Sequence, residues 1–362
     1  MKKVLVFGMT ETPGGVESVI MNYYRNIDRE KLQMDFLCNS SNIAYEDEIK
    51  KLDGEVYKIK PRSKNVFTYY KQLNQFFKNN SHKYSTIWVN ICSLANIDYL
   101  IYAKKYKIKH RIIHCHNSQN MDSKLRLVLH QFNKIRLGKY ATDYWTCSQG
   151  ASEWFFNSKQ NKKIVLVHNA IDCDKFKFDM NTRKEYRKDL NLEGKLVFGN
   201  IGRFHFQKNQ LRLLEIFKKI SEKKENTVLL LIGDGEEKDK IVDKIKELKL
   251  EDSVKLLGIR DDVEKILQCM DAIIFPSLFE GLPLVLVEAQ ANGLPIFASD
   301  TITKEIIIGD NVTLISLEKD NEYWAKTILD SNLDRCDNYE SIQKEGYDIK
   351  KESKKIERLL LR

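Results

Sequence analysis

AIIFPSLFEGLPLVLVEAQANGLPIFAS, residues 272–299, reads as strand, connection, helix and strand. AIIFPS (272–277) and PIFAS (295–299) are short apolar runs, each bounded by turn residues. A helix between two such runs makes the strands parallel, joined by a right-handed crossover. Leu282 precedes a proline and is biased away from helix. Pro283 is then expected as the first helical residue, where a missing N–H is harmless. Glu280 falls in the connection, and Glu288 about a turn and a half down the helix, roughly 7–8 Å from its start. Two ionised carboxylates bracketing an apolar run need partners.

The same alternation extends in both directions. In the first half the strand candidates are VLVF (4–7), MDFLC (34–38), EVYKI (55–59), TIWVN (86–90), RIIHCH (111–116) and YWTCS (144–148). VESVIMNYYRNI (16–27) and FTYYKQLNQFFKN (67–79) have helical periodicity between them. In the second half the strands are KLVFGNIG (195–202), TVLLLIG (227–233) and VKLLG (254–258), followed by the pair quoted above. The pattern restarts after VHNAIDCDKFKFDMN (167–181). The expected architecture is α/β, with two Rossmann-like, doubly wound parallel-sheet domains over residues 1–170 and 171–346. YDIKKESKKIERLLLR (347–362) reads as a charged amphipathic helix. Ligands of such sheets bind beyond the carboxyl ends of the strands. The expected site is therefore an interdomain cleft lined by residues that follow strands.

Composition narrows the class. The chain has 362 residues and a net charge of +9. Residues 1–170 hold 27 Lys and Arg against 14 Asp and Glu, whereas residues 171–362 hold 33 against 37. A basic half suits an anionic ligand, nucleic acid or an anionic membrane, or is a solvated surface. The seven cysteines are scattered with no CxxC pair, the pattern of reduced cytosolic thiols. No apolar stretch approaches the roughly 20 residues that span a bilayer. The opening MKKVLVFGMTETPGG has too short an apolar run for a signal peptide.

The motifs follow the strands. An anion docked at the start of the helix after Pro283 would lie between Glu280 and Glu288. Ionised carboxylates only accept hydrogen bonds, so sugar hydroxyls suit both, and a nucleotide sugar carries hydroxyls on each side of its diphosphate. Helix-start acids in salt bridges fit the spacing equally well. GNIGRFHFQKNQ (199–210) offers Arg203 and Lys208 to a diphosphate beside glycines that permit close approach. TETPGGVESV (10–19) places Gly14 and Gly15 before a helix, as a ligand-approach loop or a plain turn. IIHCHN (112–117) sets His114 and His116 on one face of a strand end, as sugar-contacting or charge-stabilising groups or as ordinary core histidines. DCD (172–174) is a DxD triplet, a pattern that holds a metal in one class of sugar transferases, but here it sits at the expected hinge. LIGDGEE (231–237) and LLGIRDDV (256–263) are further strand-end turns.

Taken together, these stretches resemble the retaining glycosyltransferases of family 4, which have the GT-B fold. The match is strongest over 195–300, and the context EGLPLVLVEA with a closing GYDI (346–349) is similar to the branch that builds capsule and exopolysaccharide. The resemblance implies transfer of a sugar from a nucleotide-sugar donor to a saccharide or lipid-linked oligosaccharide acceptor, with no metal and no further cofactor. It implies a catalytic set of Glu280, His116, Arg203 and Lys208. Arg203 and Lys208 would bind the diphosphate, and Glu280 with the backbone of Gly281, Leu282, Pro283 and Leu284 would meet the donor sugar. Val285 would lie by the phosphates through its backbone, and Glu288 would accept from the ribose. Gly15 would approach the phosphate, and His116 would lie near the reacting sugar. Family likeness also implies that helix 347–362 crosses back onto the first domain, and that the protein is cytoplasmic and peripheral at the inner face of the membrane. The basic first domain would face the acceptor, with no nucleic-acid partner. PRSKNVFTYYKQLNQFFKNNSHKY (61–84) and KLRLVLHQFNKIRLGKY (124–140) suit such an interface, unless their apolar residues form core. Two departures stand out: Asn169-Ala170 replaces a frequent Asn-Gly, and Leu282-Pro283 a frequent Phe-Gly. The competing readings are a nucleotide-sugar 2-epimerase on the same fold and a non-catalytic nucleotide-sugar binder.

Overall fold

The computed structural model describes residues 1–119, 123–157 and 164–362. It divides into two compact units, Met1–Ala170 with Ile349–Arg362, and Ile171–Asp348.

The first unit is built on seven parallel strands: β1 (Lys2–Phe7), β2 (Leu32–Cys38), β3 (Val56–Lys58), β4 (Thr86–Ile91), β5 (His110–Cys115), β6 (Asp143–Thr146) and β7 (Ile164–Leu166). Their order is β3-β2-β1-β4-β5-β6-β7. Helices cover both faces, so β4, TIWVNI, is buried at every residue. Helix Gly15–Asn26 returns from β1 with Val19, Ile20 and Tyr23 against the sheet side and Tyr24 edge-on to Phe36. Helix Val66–Asn80 buries Tyr69, Leu73, Phe76 and Phe77 at helical spacing. The C-terminal helix Ile349–Leu360 packs on helix Gly15–Asn26. It buries Ile349, Ser353, Ile356 and Leu360, and Glu357 accepts from the Asp28 N–H at 3.1 Å.

The second unit holds six parallel strands: β8 (Leu196–Ile201), β9 (Thr227–Ile232), β10 (Val254–Gly258), β11 (Ala272–Phe275), β12 (Ile296–Ser299) and β13 (Val312–Ile315). Their order is β10-β9-β8-β11-β12-β13. Strand β9, TVLLLI, is wholly buried, and each of its leucines contributes about 1.5–3 kcal/mol of burial. Gly199 in β8 lies against Met270, whose sulfur would sit 2.1 Å from any added Cβ. A side chain there must displace that methionine.

Two strands, β7 and β13, are absent from the sequence reading. Both are edge strands of only three or four residues with half-exposed positions, too short to stand out from the segments around them. The helix after β11 also starts later than expected. It spans Leu284–Ala291, and Pro283 is its cap, with φ −71° and ψ 112°. The ring fixes φ alone, and the extended ψ places Pro283 just outside the helix. Its carbonyl accepts from the Leu286 N–H at 3.0 Å. Glu288 is therefore the fifth helical residue, about 6 Å from the start. Among the described residues no helix is long and apolar enough to cross a membrane.

Candidate active site

In the second sheet the strand order reverses between β8 and β11, which pair directly through Ala272 with Phe198 and Ile273 with Gly199. The loops that leave their carboxyl ends are thus brought side by side, and this switch point is where open α/β sheets bind ligands. Hydrogen bonds knit the two loops together. The Leu278 N–H donates to Gln207 O at 2.8 Å, and Gln207 Nε2 donates to Phe279 O at 2.8 Å. Asn209 takes the left-handed conformation at φ 56° and donates from Nδ2 to Pro276 O at 3.1 Å. Beside them Gly233, at φ +136°, abuts Gly202, and an added Cβ would fall 2.0 Å from Gly202 O. This close approach admits only glycine.

The expected diphosphate ligands sit here, already engaged. Lys208 Nζ lies 2.7 Å from Glu280 Oε1 and 4.7 Å from the centre of the Phe275 ring. Gln207 Nε2 donates to the other carboxylate oxygen of Glu280 at 3.2 Å. Both partners of the Lys208–Glu280 pair are largely buried, so the solvent screens it weakly. Arg203 differs. Its side chain is 66% exposed and pairs with Glu236 at 3.0 Å, and Glu236 also meets His205 Nε2 at 3.3 Å. Burial raises the Glu236 carboxyl, but backbone hydrogen bonding and the neighbouring Arg203 and His205 outweigh it and hold it below the usual range. An exposed pair of this kind contributes about 0–1 kcal/mol, so Arg203 is free to turn to a better anion.

Gly281, Leu282, Pro283 and Leu284 are buried and Val285 is half-buried, at a helix start that no side chain caps. Glu288 is half-buried, and among the described residues its carboxylate has no hydrogen bond or ion pair. Burial pushes it up to about 7, with Lys175 pulling it down and Glu264 pushing it further up. Lys175 is itself paired to Glu264 at 3.3 Å. The two acids of the opening stretch are therefore unequal: Glu280 is committed to a lysine, and Glu288 is an open acceptor.

In the first unit the strand order reverses between β1 and β4. Asn90, near the end of β4, donates from Nδ2 to Phe7 O at 3.3 Å. Its Oδ1 lies 3.1 Å from His114 Nδ1 and 3.0 Å from His116 Nε2. An amide oxygen accepts only, so both ring nitrogens facing it carry hydrogens. Burial pushes His116 down to about 3, against the pull of the Asn169 side chain. His114 is pushed well below its usual range by burial and by His116. His116 is therefore a neutral imidazole. A neutral imidazole can donate and accept hydrogen bonds but carries no charge. Gly15 opens helix Gly15–Asn26 at an exposed position where a Cβ would meet nothing within 4 Å. Two residues on, Glu17 is buried and accepts from Thr10 Oγ1 at 2.6 Å.

The sequence reading missed Gln207, Glu236 and Asn90. Each sits inside a quoted motif, and a polar residue at a strand's carboxyl end is the signal that marks Asn90. In the DCD triplet Asp172 precedes the helix Cys173–Phe176, and Asp174 accepts from the Tyr339 hydroxyl. Among the described residues no group of three or more His, Cys, Asp or Glu is placed to hold a metal. Among the described residues no disulfide joins any of the seven cysteines. Gly258, at φ +67°, is the last residue of β10.

Two parallel-sheet α/β units with these strand orders define the GT-B class of fold. The crystal structure of Anabaena HepE with UDP and glucose matches over 99% of both chains, with a TM-score of 0.81 and 17% identity. Residues 182–348 match the family described as glycosyl transferases group 1. The chain is 30% identical over 329 residues to EpsF of Bacillus subtilis strain 168, named a glycosyltransferase, covering 87% of this chain and 84% of that one. It is also 35% identical over 146 residues to the Escherichia coli UDP-Gal:alpha-D-GlcNAc-diphosphoundecaprenol alpha-1,3-galactosyltransferase, covering 38% and 37% of the two chains. The chain belongs to the group 1 glycosyl transferases.

Proposed function

We propose that this glycosyltransferase is a retaining, metal-independent enzyme that moves a sugar from a nucleotide-sugar donor to a lipid-linked saccharide acceptor in cell-surface polysaccharide biosynthesis. The observation that carries the donor reading is the buried Lys208–Glu280 pair at the switch point, with exposed Arg203 and open Glu288 in the flanking segments. HepE has been crystallised with UDP-glucose, and the E. coli relative is named for a UDP-sugar donor and a diphosphoundecaprenol acceptor.

In this reading Arg203 and Lys208 meet the diphosphate, and their charge grows in value as the leaving group becomes more anionic. Glu280 holds Lys208 with one oxygen, and the other, which accepts from Gln207, has a second lone pair for a donor-sugar hydroxyl. The backbone from Gly281 to Leu284 lines the sugar, the Val285 N–H faces phosphate and Glu288 accepts from the ribose. Gly15 allows a phosphate to approach, and neutral His116 hydrogen-bonds the reacting sugar. The bond from the anomeric carbon to the diphosphate oxygen breaks. The acceptor oxygen bonds to that carbon on the same face, and its proton passes to the departing phosphate.

The test is a thermal shift of the purified protein across UDP-, GDP-, ADP- and dTDP-sugars, followed by transfer to a lipid-linked acceptor with and without EDTA. One nucleotide class should stabilise the fold. The product should keep the donor's anomeric configuration by NMR, and EDTA should leave the rate unchanged. No shift with any donor sinks the reading. Interconversion of the donor without acceptor would assign a 2-epimerase instead.

A further inference from the structure

Lys208 does not sit on a long helix. It ends a three-residue 3₁₀ turn, Phe206–Lys208. The Lys208 N–H donates to His205 O at 2.9 Å, and the Asn209 N–H to Phe206 O at 3.2 Å. Left-handed Asn209 then parts the turn from helix Gln210–Lys223. So short a turn is weakly held by its own backbone bonds, and its placement falls to side chains. At the far end Asn209 Nδ2 donates to Pro276 O. At the near end stands His205, in extended backbone at φ −145° and ψ 146°. Its Nδ1 accepts from the Gln207 N–H at 3.3 Å.

The ring is fixed from its other side as well. His205 Nε2 lies 3.3 Å from Glu236 Oε1. A backbone N–H only donates, so Nδ1 is bare and the hydrogen of the neutral ring is on Nε2, facing a carboxylate that only accepts. Glu236 thus selects the tautomer in which Nδ1 can hold the turn. The two residues that follow Phe206 both end on Glu280. Gln207 Nε2 reaches one carboxylate oxygen and Lys208 Nζ the other. The Lys208 stem runs along Gly202, where an added Cβ would fall 3.1 Å from its Cε and 3.4 Å from its Cδ.

We infer that His205 is a positioning residue for sugar transfer: its Nδ1 clamps the turn that aims Lys208 at the donor diphosphate, without itself touching substrate. The inference rests on the donor reading of Lys208. The competing role is packing, since the ring lies 4.4 Å from that of Phe206. Two substitutions separate these roles. Leucine keeps the bulk and loses the acceptor. Asparagine loses the ring and keeps an acceptor, because its side-chain oxygen can take the N–H two residues on.

The test is calorimetry of the full chain with UDP, GDP, ADP and dTDP, each beside its monophosphate, together with nitrogen-15 NMR of the histidine rings. For the nucleoside that wild type binds, His205→Leu should weaken the diphosphate about tenfold and the monophosphate less than threefold. His205→Asn should stay within about threefold of wild type on both. In wild type the His205 ring, assigned by its absence from the His205→Asn spectrum, should carry its hydrogen on Nε2. That signature needs no variant to hold a ligand. Wild-type diphosphate binding by His205→Leu overturns the inference, as do equal losses on diphosphate and monophosphate. A weak His205→Asn beside a sound His205→Leu would assign the ring to packing and overturn it too, and so would a hydrogen on Nδ1. No diphosphate binding by wild type sinks the donor reading and this inference with it, whereas the other outcomes leave the donor reading standing.

Discussion

The two sheets end in clusters of opposite electrical character. Where β8 and β11 diverge, the second unit gathers Lys208, Arg203, Glu280 and Glu236 into ion pairs. Where β1, β4 and β5 end, the first unit gathers Asn90, His114 and His116 into a neutral network. Yet the first unit is the basic part of the chain and the second the slightly acidic part. Net charge and site charge are therefore decoupled. The basic excess of the first unit includes the stretches 60–83 and 124–139. The two cations proposed to meet a diphosphate, Arg203 and Lys208, lie in a segment whose overall balance is negative.

The comparison breaks most sharply at Lys208. Lys208→Ala leaves Glu280 buried without its cation and removes a donor to the leaving group. We expect kcat to fall about a hundredfold or more, with a lower melting temperature. Transfer within threefold of wild type, measured as nucleoside diphosphate release, would remove the second cluster from the chemistry.

Next in size is the titration of Glu288. Its carboxyl stands at about 7 when folded against an ordinary 4.5, so folding favours the protonated form. Its contribution to stability is therefore greatest below about pH 4.5 and is lost as pH rises through about 7. A ribose hydroxyl stabilises the ionised form, so donor affinity should rise up to about tenfold per pH unit toward 7 and level above it. Calorimetry across that range checks this, and Glu288→Gln should flatten the profile. A flat wild-type profile would place the ribose elsewhere.

The neutral cluster can be made charged. Asn90→Asp offers a carboxylate to His114 Nδ1 and His116 Nε2 and should raise both imidazoles toward the ordinary range. Histidine NMR should show His116 titrating higher, with transfer reduced about tenfold and nucleotide affinity unchanged. If transfer is unaffected, the neutrality of His116 has no role in the reaction.

The smallest effect belongs to the exposed pair. Glu236→Gln frees Arg203 from its surface partner and should tighten nucleotide diphosphate binding by about two- to fivefold at low salt, fading as salt rises. Weaker binding would show that Glu236 orients Arg203 rather than competing for it.

How much of this was legible beforehand follows physical lines. Buried parallel strands such as TVLLLI and TIWVN announce themselves because both faces are covered, so every residue is apolar or nearly so. The edge strands IVL and VTLI are only three and four residues long and partly exposed, so their apolar residues do not set them apart from the segments around them. Pro283 was legible as a helix boundary to within one residue, because the ring sets φ and leaves ψ to its surroundings. The glycines, Arg203, Lys208 and both glutamates were legible as a strand-end constellation. Their partners were not: Lys208 could have met Glu236, and Arg203 could have met Glu280.

By itself, then, the sequence determined the two α/β units, the order of strand and helix, and the chemical inventory of each loop. Those follow from short-range periodicity and backbone restriction. Tertiary structure decided which loops became neighbours, because the placement of β11 beside β8 depends on pairing between residues more than seventy positions apart. It decided that Glu280 is paired and Glu288 open, that His116 is neutral, and that helix Lys124–Arg136 turns its polar face inward. Burial and partner choice are properties of the packed chain, and no local pattern encodes them.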